Sequence, residues 1–218
     1  VRELSEKFPN YLANIMFIFR NEKKFTVNSS TKIEKNDSIF LVVESENLSD
    51  VLKEFGHEEI QAKKAVIIGG GNIGFSLAQL IEKSDTYINT SLIENDKDRA
   101  EYLASQLQNI TVTNGDGLDS QILEEVNIAE AGYFISVTED DEVNILSSLL
   151  AKRAGALISL TLINNSSYSS LLTNIGVDMT IDPKIITISK ILEKVRGGKI
   201  RNDYSIGDGF GEVIEADI

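Results

Sequence analysis

From residue 64 onward, short apolar runs alternate with stretches whose apolar residues recur at helical spacing. Ala65-Val-Ile-Ile-Gly69 reads as a buried strand, and Phe75, Leu77, Ala78, Leu80 and Ile81 follow on one helical face. Ser91-Leu92-Ile93 is a second strand, ending at Glu94. The same alternation predicts a helix over 96–108, a strand over 110–112 and a loop over 114–117. Beyond it come a short helix over 119–125, a strand over 133–137, a helix over 141–154, a strand over 157–162, a short helix over 167–172 and a strand over 179–181. Asp182-Pro183 opens a helix carrying Ile185, Ile188, Ile191, Leu192 and Val195. The fold class implied is α/β, a Rossmann-like doubly wound parallel sheet.

Residues 1–60 follow another pattern. They read as a short amphipathic helix over 1–9, strands over 14–20, 24–27 and 38–43, and a helix over 47–55. A linker over 56–64 follows. This is a small α+β module, and a module of that size suggests packing against a partner. Residues 197–218 hold glycine-rich turns and one strand-like run over 211–215. The chain begins in mid-module and stops soon after that run, the pattern expected of a piece of a longer protein.

Composition narrows the function classes. Of 218 residues, 42% are apolar and 25% charged, and the net charge is −13. That charge repels nucleic acid, and no basic run offsets it. The absence of cysteine leaves no disulfide, thiolate metal site or thiol nucleophile, which fits a reducing cytoplasm. No apolar run approaches the ~20 residues that span a bilayer. Work at a membrane would need another subunit for the membrane part.

The candidate chemistry centres on Gly69-x-Gly71-x-x-Gly74, placed between a strand and a helix, with Glu94 closing the next strand. This is the dinucleotide-binding fingerprint in its required context. Gly69 permits the tight turn, Gly71 lets backbone approach a pyrophosphate, and Gly74 lets helix and strand pack closely. Free N–H groups at the helix N-terminus would hold the phosphates. Glu94 would accept hydrogen bonds from the adenosine ribose hydroxyls. The bland reading is the same fold with an empty site.

Asp116 and Thr138 end later strands at the same sheet edge. Asp116 could contact adenine or ribose, or close an Asx turn. Thr138 reads as the N-cap of the next helix and as part of the cleft wall. Glu139-Asp-Asp-Glu142 reads as favourable charge at a helix start, with a divalent-cation site as the sharper alternative. His57 reads as solvated linker. No histidine, cysteine or tyrosine–lysine pair sits where hydride chemistry would need a proton donor. The site reads as binding a nucleotide without turning it over.

Val66-Ile-Ile-Gly-Gly-Gly-Asn-Ile-Gly74, Leu92-Ile-Glu94, Asn114-Gly-Asp-Gly117, Val137-Thr-Glu-Asp-Asp-Glu-Val-Asn144 and Leu149-Leu-Ala-Lys-Arg153 together resemble the second half of TrkA-type potassium-uptake regulators, built from RCK (KTN) domains. The resemblance implies a C-terminal RCK lobe of a first repeat over 1–60 and an NAD-binding Rossmann N-lobe over 64–183. It makes 184–218 a crossover helix and the start of a second C-lobe. It further implies a cytoplasmic, peripheral regulator on the inner face of the cell membrane, partnered with a membrane-embedded Trk-type potassium channel or transporter subunit. Members form homo-oligomers through their Rossmann lobes. NAD(H) is the leading ligand and ATP or ADP the second, with no catalytic residue and no metal. The binding roles implied fall on Gly69, Gly71, Asn72 and Ile73 at the phosphate turn, and on Glu94 at the ribose. Asp116 and Gly117 fall at the adenosine end and Thr138 on the cleft wall. Leu162 stands where many family sites carry an arginine that reaches a phosphate, which implies weaker phosphate anchoring here. An NAD-dependent oxidoreductase component and a structural Rossmann scaffold are the competing readings.

Overall fold

The computed structural model describes residues 13–20, 23–35, 37–56, 63–84, 87–195, 200–206 and 211–216. The helix expected over 1–9, His57 and most of the linker lie outside them. The chain divides into two units, Val1–Ile60 and Gln61–Ile218.

Aromatic residues at alternate positions build the first unit. β1 (Ala13–Arg20) is the centre of an antiparallel sheet, between β2 (Lys23–Thr26) and β3 (Ser38–Val43). Phe17 lies opposite Phe40 in register and stacks on it at 4.5 Å between ring centres. Phe19 meets the same ring edge-on at 5.5 Å. Such cross-strand aromatic pairs hold register as well as area. A single turn of 3₁₀ helix (Ser45–Asn47) leads into α1 (Leu48–Glu54), which buries Val51.

One ion pair fixes the β2–β3 connection. Arg20 Nε and Nη2 donate to the two oxygens of Asp37, each at 2.8 Å. Nη2 also reaches the Lys32 carbonyl at 3.0 Å, and Nη1 approaches Glu34 at 2.7 Å. The Asp37 side chain is fully covered. The Arg20 hydrogen bond, then the backbone N–H of Glu34, hold its carboxyl down to about 2 from an ordinary 3.8.

In the second unit, apolar strands are covered on both faces, the condition for a parallel sheet. The strands are β4 (Lys64–Ile68), β5 (Asn89–Glu94), β6 (Ile110–Asn114), β7 (Tyr133–Ser136), β8 (Ile158–Leu162) and β9 (Met179–Ile181). All pair in parallel, in the order β6-β5-β4-β7-β8-β9. The interleaved helices are α2 (Asn72–Lys83), α3 (Lys97–Gln106), α4 (Ser120–Glu125), α5 (Asp141–Ala154), α6 (Ser169–Ile175) and α7 (Pro183–Val195). Along β4 the side chains alternate between two cores. Ile67 packs with Ala78 of α2 and Leu103 of α3 on one side. Val66 and Ile68 pack with Leu123 of α4 and Ala151 of α5 on the other. The doubly wound α/β class expected from the alternation is the fold observed. Strand order reverses between β4 and β7, and ligands of open α/β sheets bind outside the carboxyl ends of the strands at such a point.

Beyond α7, β10 (Ile200–Ile206) and β11 (Gly211–Ala216) form an antiparallel hairpin. The single strand-like run expected there is corrected to two strands. Ile200-Arg-Asn-Asp-Tyr-Ser-Ile206 is mostly polar, so no apolar alternation announces it, and its backbone pairing with β11 makes the strand. Among the described residues, no helix is long and apolar enough to cross a membrane.

The lowered Asp37 carboxyl sets a pH dependence. Its stabilisation is complete above the ordinary carboxylate range and is lost as pH falls through about 2. Asp37→Asn should lower the urea midpoint of the first unit at neutral pH. It should also flatten the decline from about pH 4 to about pH 2, followed through backbone NMR signals of β1 and β3. An unchanged acid limb would mean that other carboxylates set it.

Candidate functional site

The carboxyl end of β4 runs through Gly69, Gly70 and Gly71 into α2. Gly69 has φ +99°, a conformation that side chains rarely adopt. A β-carbon at Gly74 would lie 1.9 Å from the Gly69 carbonyl oxygen. The first turn of α2 can therefore rest directly on the strand end. A β-carbon at Gly71 would meet nothing within 4 Å, so that face of the turn is open. Gly71 is the N-cap of α2 and offers no side-chain cap. The first intrahelical bond runs from Phe75 N–H to Gly71 O at 3.0 Å. The amides of Asn72, Ile73 and Gly74 precede it, where helices bind anions.

Beside this turn is a cavity of about 450 Å³. Gly69, Gly71, Glu94, Asp116, Gly117 and Thr138 all line it, together with Ile68, Ile93 and Val137. It therefore gathers residues from β4, from β5 and from the segments that follow β6 and β7. Glu94, Asp116, Glu139 and Asp140 give it four carboxylates, and its lining holds no lysine, arginine or histidine. An anion there depends on backbone amides.

Glu94 is already engaged. Its Oε2 accepts from Gly70 N–H at 2.7 Å and its Oε1 from Asp96 N–H at 2.8 Å. Each carboxylate oxygen can accept more than one hydrogen bond, so ribose hydroxyls remain within its capacity. Asp116 closes an Asx turn, its Oδ1 accepting from Leu118 N–H at 2.9 Å, while the residue also lines the cavity. The Asx-turn reading of Asp116 is the one observed, and the turn leaves the residue on the cavity wall. The Asn114 side chain donates to the carbonyls of Glu94 (2.9 Å) and Asn95 (3.0 Å), tying the end of β6 to that of β5.

On the other wall, Asn144 of α5 is fully buried. Its Oδ1 accepts from Thr138 N–H (2.9 Å) and Thr138 Oγ1 (2.8 Å). Its Nδ2 donates to the carbonyls of Thr138 and Leu162, both at 3.0 Å. Ser136, Ser148 and Thr161 extend this network through buried hydroxyls. Among the described residues, no buried side-chain polar atom lacks a hydrogen-bond partner.

The TrkA-N domain matches residues 65–183. The chain belongs to the TrkA-N domain family. The Trk system potassium uptake protein TrkA of Azorhizobium caulinodans is 40% identical over 215 residues, covering 99% of this chain and 47% of that protein. The chain spans about half the length of the curated relatives it matches. The GsuK RCK domain aligns with a TM-score of 0.61 at 18% identity, over 90% of this chain and 42% of that one. A GsuK channel bound to NAD aligns with a TM-score of 0.60 at 18% identity, over 88% and 34%. These two share the fold.

Two residues of this TrkA-N domain behave differently from expectation. Thr138 is not the N-cap of α5; Asp140 is, its Oδ1 accepting from Val143 N–H at 2.9 Å. Asn144, in the first turns of α5, takes the threonine hydroxyl instead. Leu162 does not line the cavity, because its side chain is buried with Ile67, Leu92, Leu103 and Val137. Gly74 does not line the cavity and makes the close helix–strand contact expected of it, against Gly69. Asn72 and Ile73 are exposed on the first turn of α2, outside the lining.

Three residues of the acidic run, Asp140, Asp141 and Glu142, are engaged in structural hydrogen bonds. Asp140 caps α5, and Asp141 accepts from the backbone N–H groups of Asn164 and Asn165, each at 2.8 Å. Glu142 accepts from the Tyr168 hydroxyl at 3.2 Å, and its charge raises the tyrosine pKa. Among the described residues, no three histidine, cysteine or acidic side chains are grouped to hold a metal ion. Asn144 and Arg99 were not singled out from sequence. For Asn144 a signal existed, since Asn144, Ser147, Ser148 and Ala151 share the core-facing stripe of a helix. Polar residues there need built partners.

Two substitutions follow from the glycine geometry. Gly71→Asp should leave the thermal midpoint nearly unchanged, whereas Gly74→Ala should lower it sharply, because only the second collides with backbone. Equal midpoints would contradict this packing. Leu162→Arg should cost about 3 kcal/mol or more in urea unfolding, since it buries a charge without a partner. A stable variant would show that the side chain reaches the cleft.

Proposed function

We propose that this chain binds an adenine nucleotide in the cleft and serves as a regulatory part of a Trk-type potassium-uptake system. The observation that carries the binding reading is the uncapped first turn of α2, open beside Gly71 and facing a cavity that Glu94 also lines. Gly69, Gly71, Asn72 and Ile73 would hold the phosphates through their amides. Glu94 would take the ribose, with Asp116 and Gly117 at the adenosine end and Thr138 on the wall. Gly74 would serve the site by packing.

Lining charge favours NAD(H). Four carboxylates and no cation oppose a triphosphate more than they oppose the two bridged phosphates of a dinucleotide. ATP and ADP rank second. The fold is shared with a GsuK channel bound to NAD and with GsuK bound to ADP, which supports a nucleotide without ranking the two.

The regulatory reading rests on family membership and on relatives named for potassium uptake. In it, residues 1–60 are the C-lobe of a first repeat, 64–183 the N-lobe, and 184–218 a crossover helix and the start of a second C-lobe. The partner is a membrane-embedded Trk-type subunit on whose cytoplasmic face the regulator sits as a homo-oligomer. Nucleotide binding acts by biasing how the lobes pack. It can do so only by its differential affinity for the two arrangements, and the channel state must alter nucleotide affinity in return.

Calorimetry with NAD, NADH, NADP, ATP and ADP tests the binding. A hydrogen bond to a charged group is worth about 1.5–3 kcal/mol, so NAD should exceed NADP by roughly tenfold or more, because Glu94 repels a 2′-phosphate. Equal affinities would remove Glu94 from the ribose. Potassium flux through the full-length complex in lipid vesicles tests the regulation. Flux should change with nucleotide for the parent protein and not for Gly71→Asp. If both respond alike, this half is scaffold, and hydride transfer to any substrate would make it an oxidoreductase component.

A further inference from the structure

Arg99 is unexplained by the nucleotide reading. It lies on the first turn of α3, outside the cavity lining. Its Nε donates to the Gly70 carbonyl at 2.8 Å. Its guanidinium rests over the rings of Phe75, at 5.5 Å, and Tyr102, at 5.1 Å. Among the described residues no carboxylate pairs with it, in a chain with 34 acidic and 21 basic residues. The cation is committed to one backbone carbonyl.

That bond closes a circuit. Gly70 N–H donates to Glu94 Oε2, and Asp96 N–H donates to Glu94 Oε1. Arg99 N–H donates to Asp96 Oδ1 at 2.7 Å, and Arg99 Nε returns to Gly70 O. The glycine turn, the end of β5 and the start of α3 are thereby linked through four hydrogen bonds. The ends of the turn are held by Gly69 N–H to the Ile93 carbonyl and by Phe75 N–H to the Gly71 carbonyl, which leaves the peptide between Gly70 and Gly71 as the plane that depends on Arg99. In a trans peptide the carbonyl and the following N–H point in opposite directions. With the Gly70 carbonyl drawn to Arg99, the Gly71 N–H points the other way.

We propose that Arg99 is a positioning residue for the phosphate turn. By holding the Gly70 carbonyl it presets the Gly71 amide for an anionic phosphate ester, while Glu94 at the ribose keeps its separate bond from Asp96 N–H. The ligand class is a nucleotide bearing a 5′-phosphate, as AMP, ADP and NAD do. The inference rests on the nucleotide reading for its ligand, but the turn can be examined without one.

The test uses the 218-residue chain with Arg99→Ala and Arg99→Lys. In ligand-free protein, Arg99→Ala should speed amide exchange at Gly70, whose N–H is bonded to Glu94, and leave the central amides of β4 and β5 protected. In calorimetry it should weaken AMP and NAD alike, by roughly tenfold, leave adenosine unchanged and preserve the NAD:NADP ratio. Arg99→Lys should restore part of the affinity, since an amine can reach the carbonyl without the fixed guanidinium plane. Unaltered exchange at the turn would overturn the proposal, as would an equal loss for adenosine. A loss confined to NADP would also overturn it and make Arg99 a direct contact to a 2′-phosphate. If the parent chain binds no nucleotide, the functional reading fails, and amide exchange alone still decides whether Arg99 positions the turn.

Discussion

Two adjacent strands of the sheet end on a single buried amide. Asn144 takes the backbone N–H, the hydroxyl and the carbonyl of Thr138, and the carbonyl of Leu162. Ser148 of α5 makes a second link of this kind, its hydroxyl bonded to those of Ser136 in β7 and Thr161 in β8. Each such hydrogen bond contributes little net, but leaving one of these groups unpaired in a buried setting costs about 1–3 kcal/mol. The arrangement is therefore all or nothing. It decides that Thr138 turns its backbone toward the helix, that Leu162 points into the core, and that the cleft wall ends where it does. The hydroxyls of Ser136, Ser148 and Thr161 are affordable inside the sheet only because the same network satisfies them.

The fold was legible because its causes are local. Apolar runs with both faces covered announce parallel strands, and the glycine spacing at 69, 71 and 74 announces a turn that no side chain can occupy. The gathering of Glu94, Asp116 and Thr138 at one edge was equally legible, since strand ends in this topology share an edge. What could not be read was how polar side chains spend their hydrogen bonds across distance. Thr138 and Asp140 are both good helix caps, and only the position of Asn144 decides between them. Leu162 sits at a strand end, and only the face that β8 presents shows it to be core. Arg99 reaches a carbonyl 29 residues away in sequence, which no spacing rule foretells. The strand at Ile200–Ile206 depends on a partner rather than on its own pattern.

The glycine turn shows how strain and support are divided. Gly69 adopts a left-handed conformation and Gly74 gives up its side chain so that helix and strand can touch. Gly70 is enclosed, with Leu103 and Glu94 at the position a β-carbon would take. Only Gly71 faces open space. The turn is thus rigid on three sides and accessible on the fourth, and the accessible side is the one that faces the cavity.

The four carboxylates of that cavity have a consequence beyond ligand preference. Their repulsion of a phosphate acts through solvent, so its reach is set by dissolved ions. The screening distance is about 10 Å at 0.1 M ionic strength and about 3 Å at 1 M. Concentrated salt lowers the barrier to an anion and leaves the short amide contacts almost untouched. On the proposed nucleotide reading, occupancy of this cleft would depend on the ionic medium as well as on nucleotide supply, and potassium is one of the ions that does the screening.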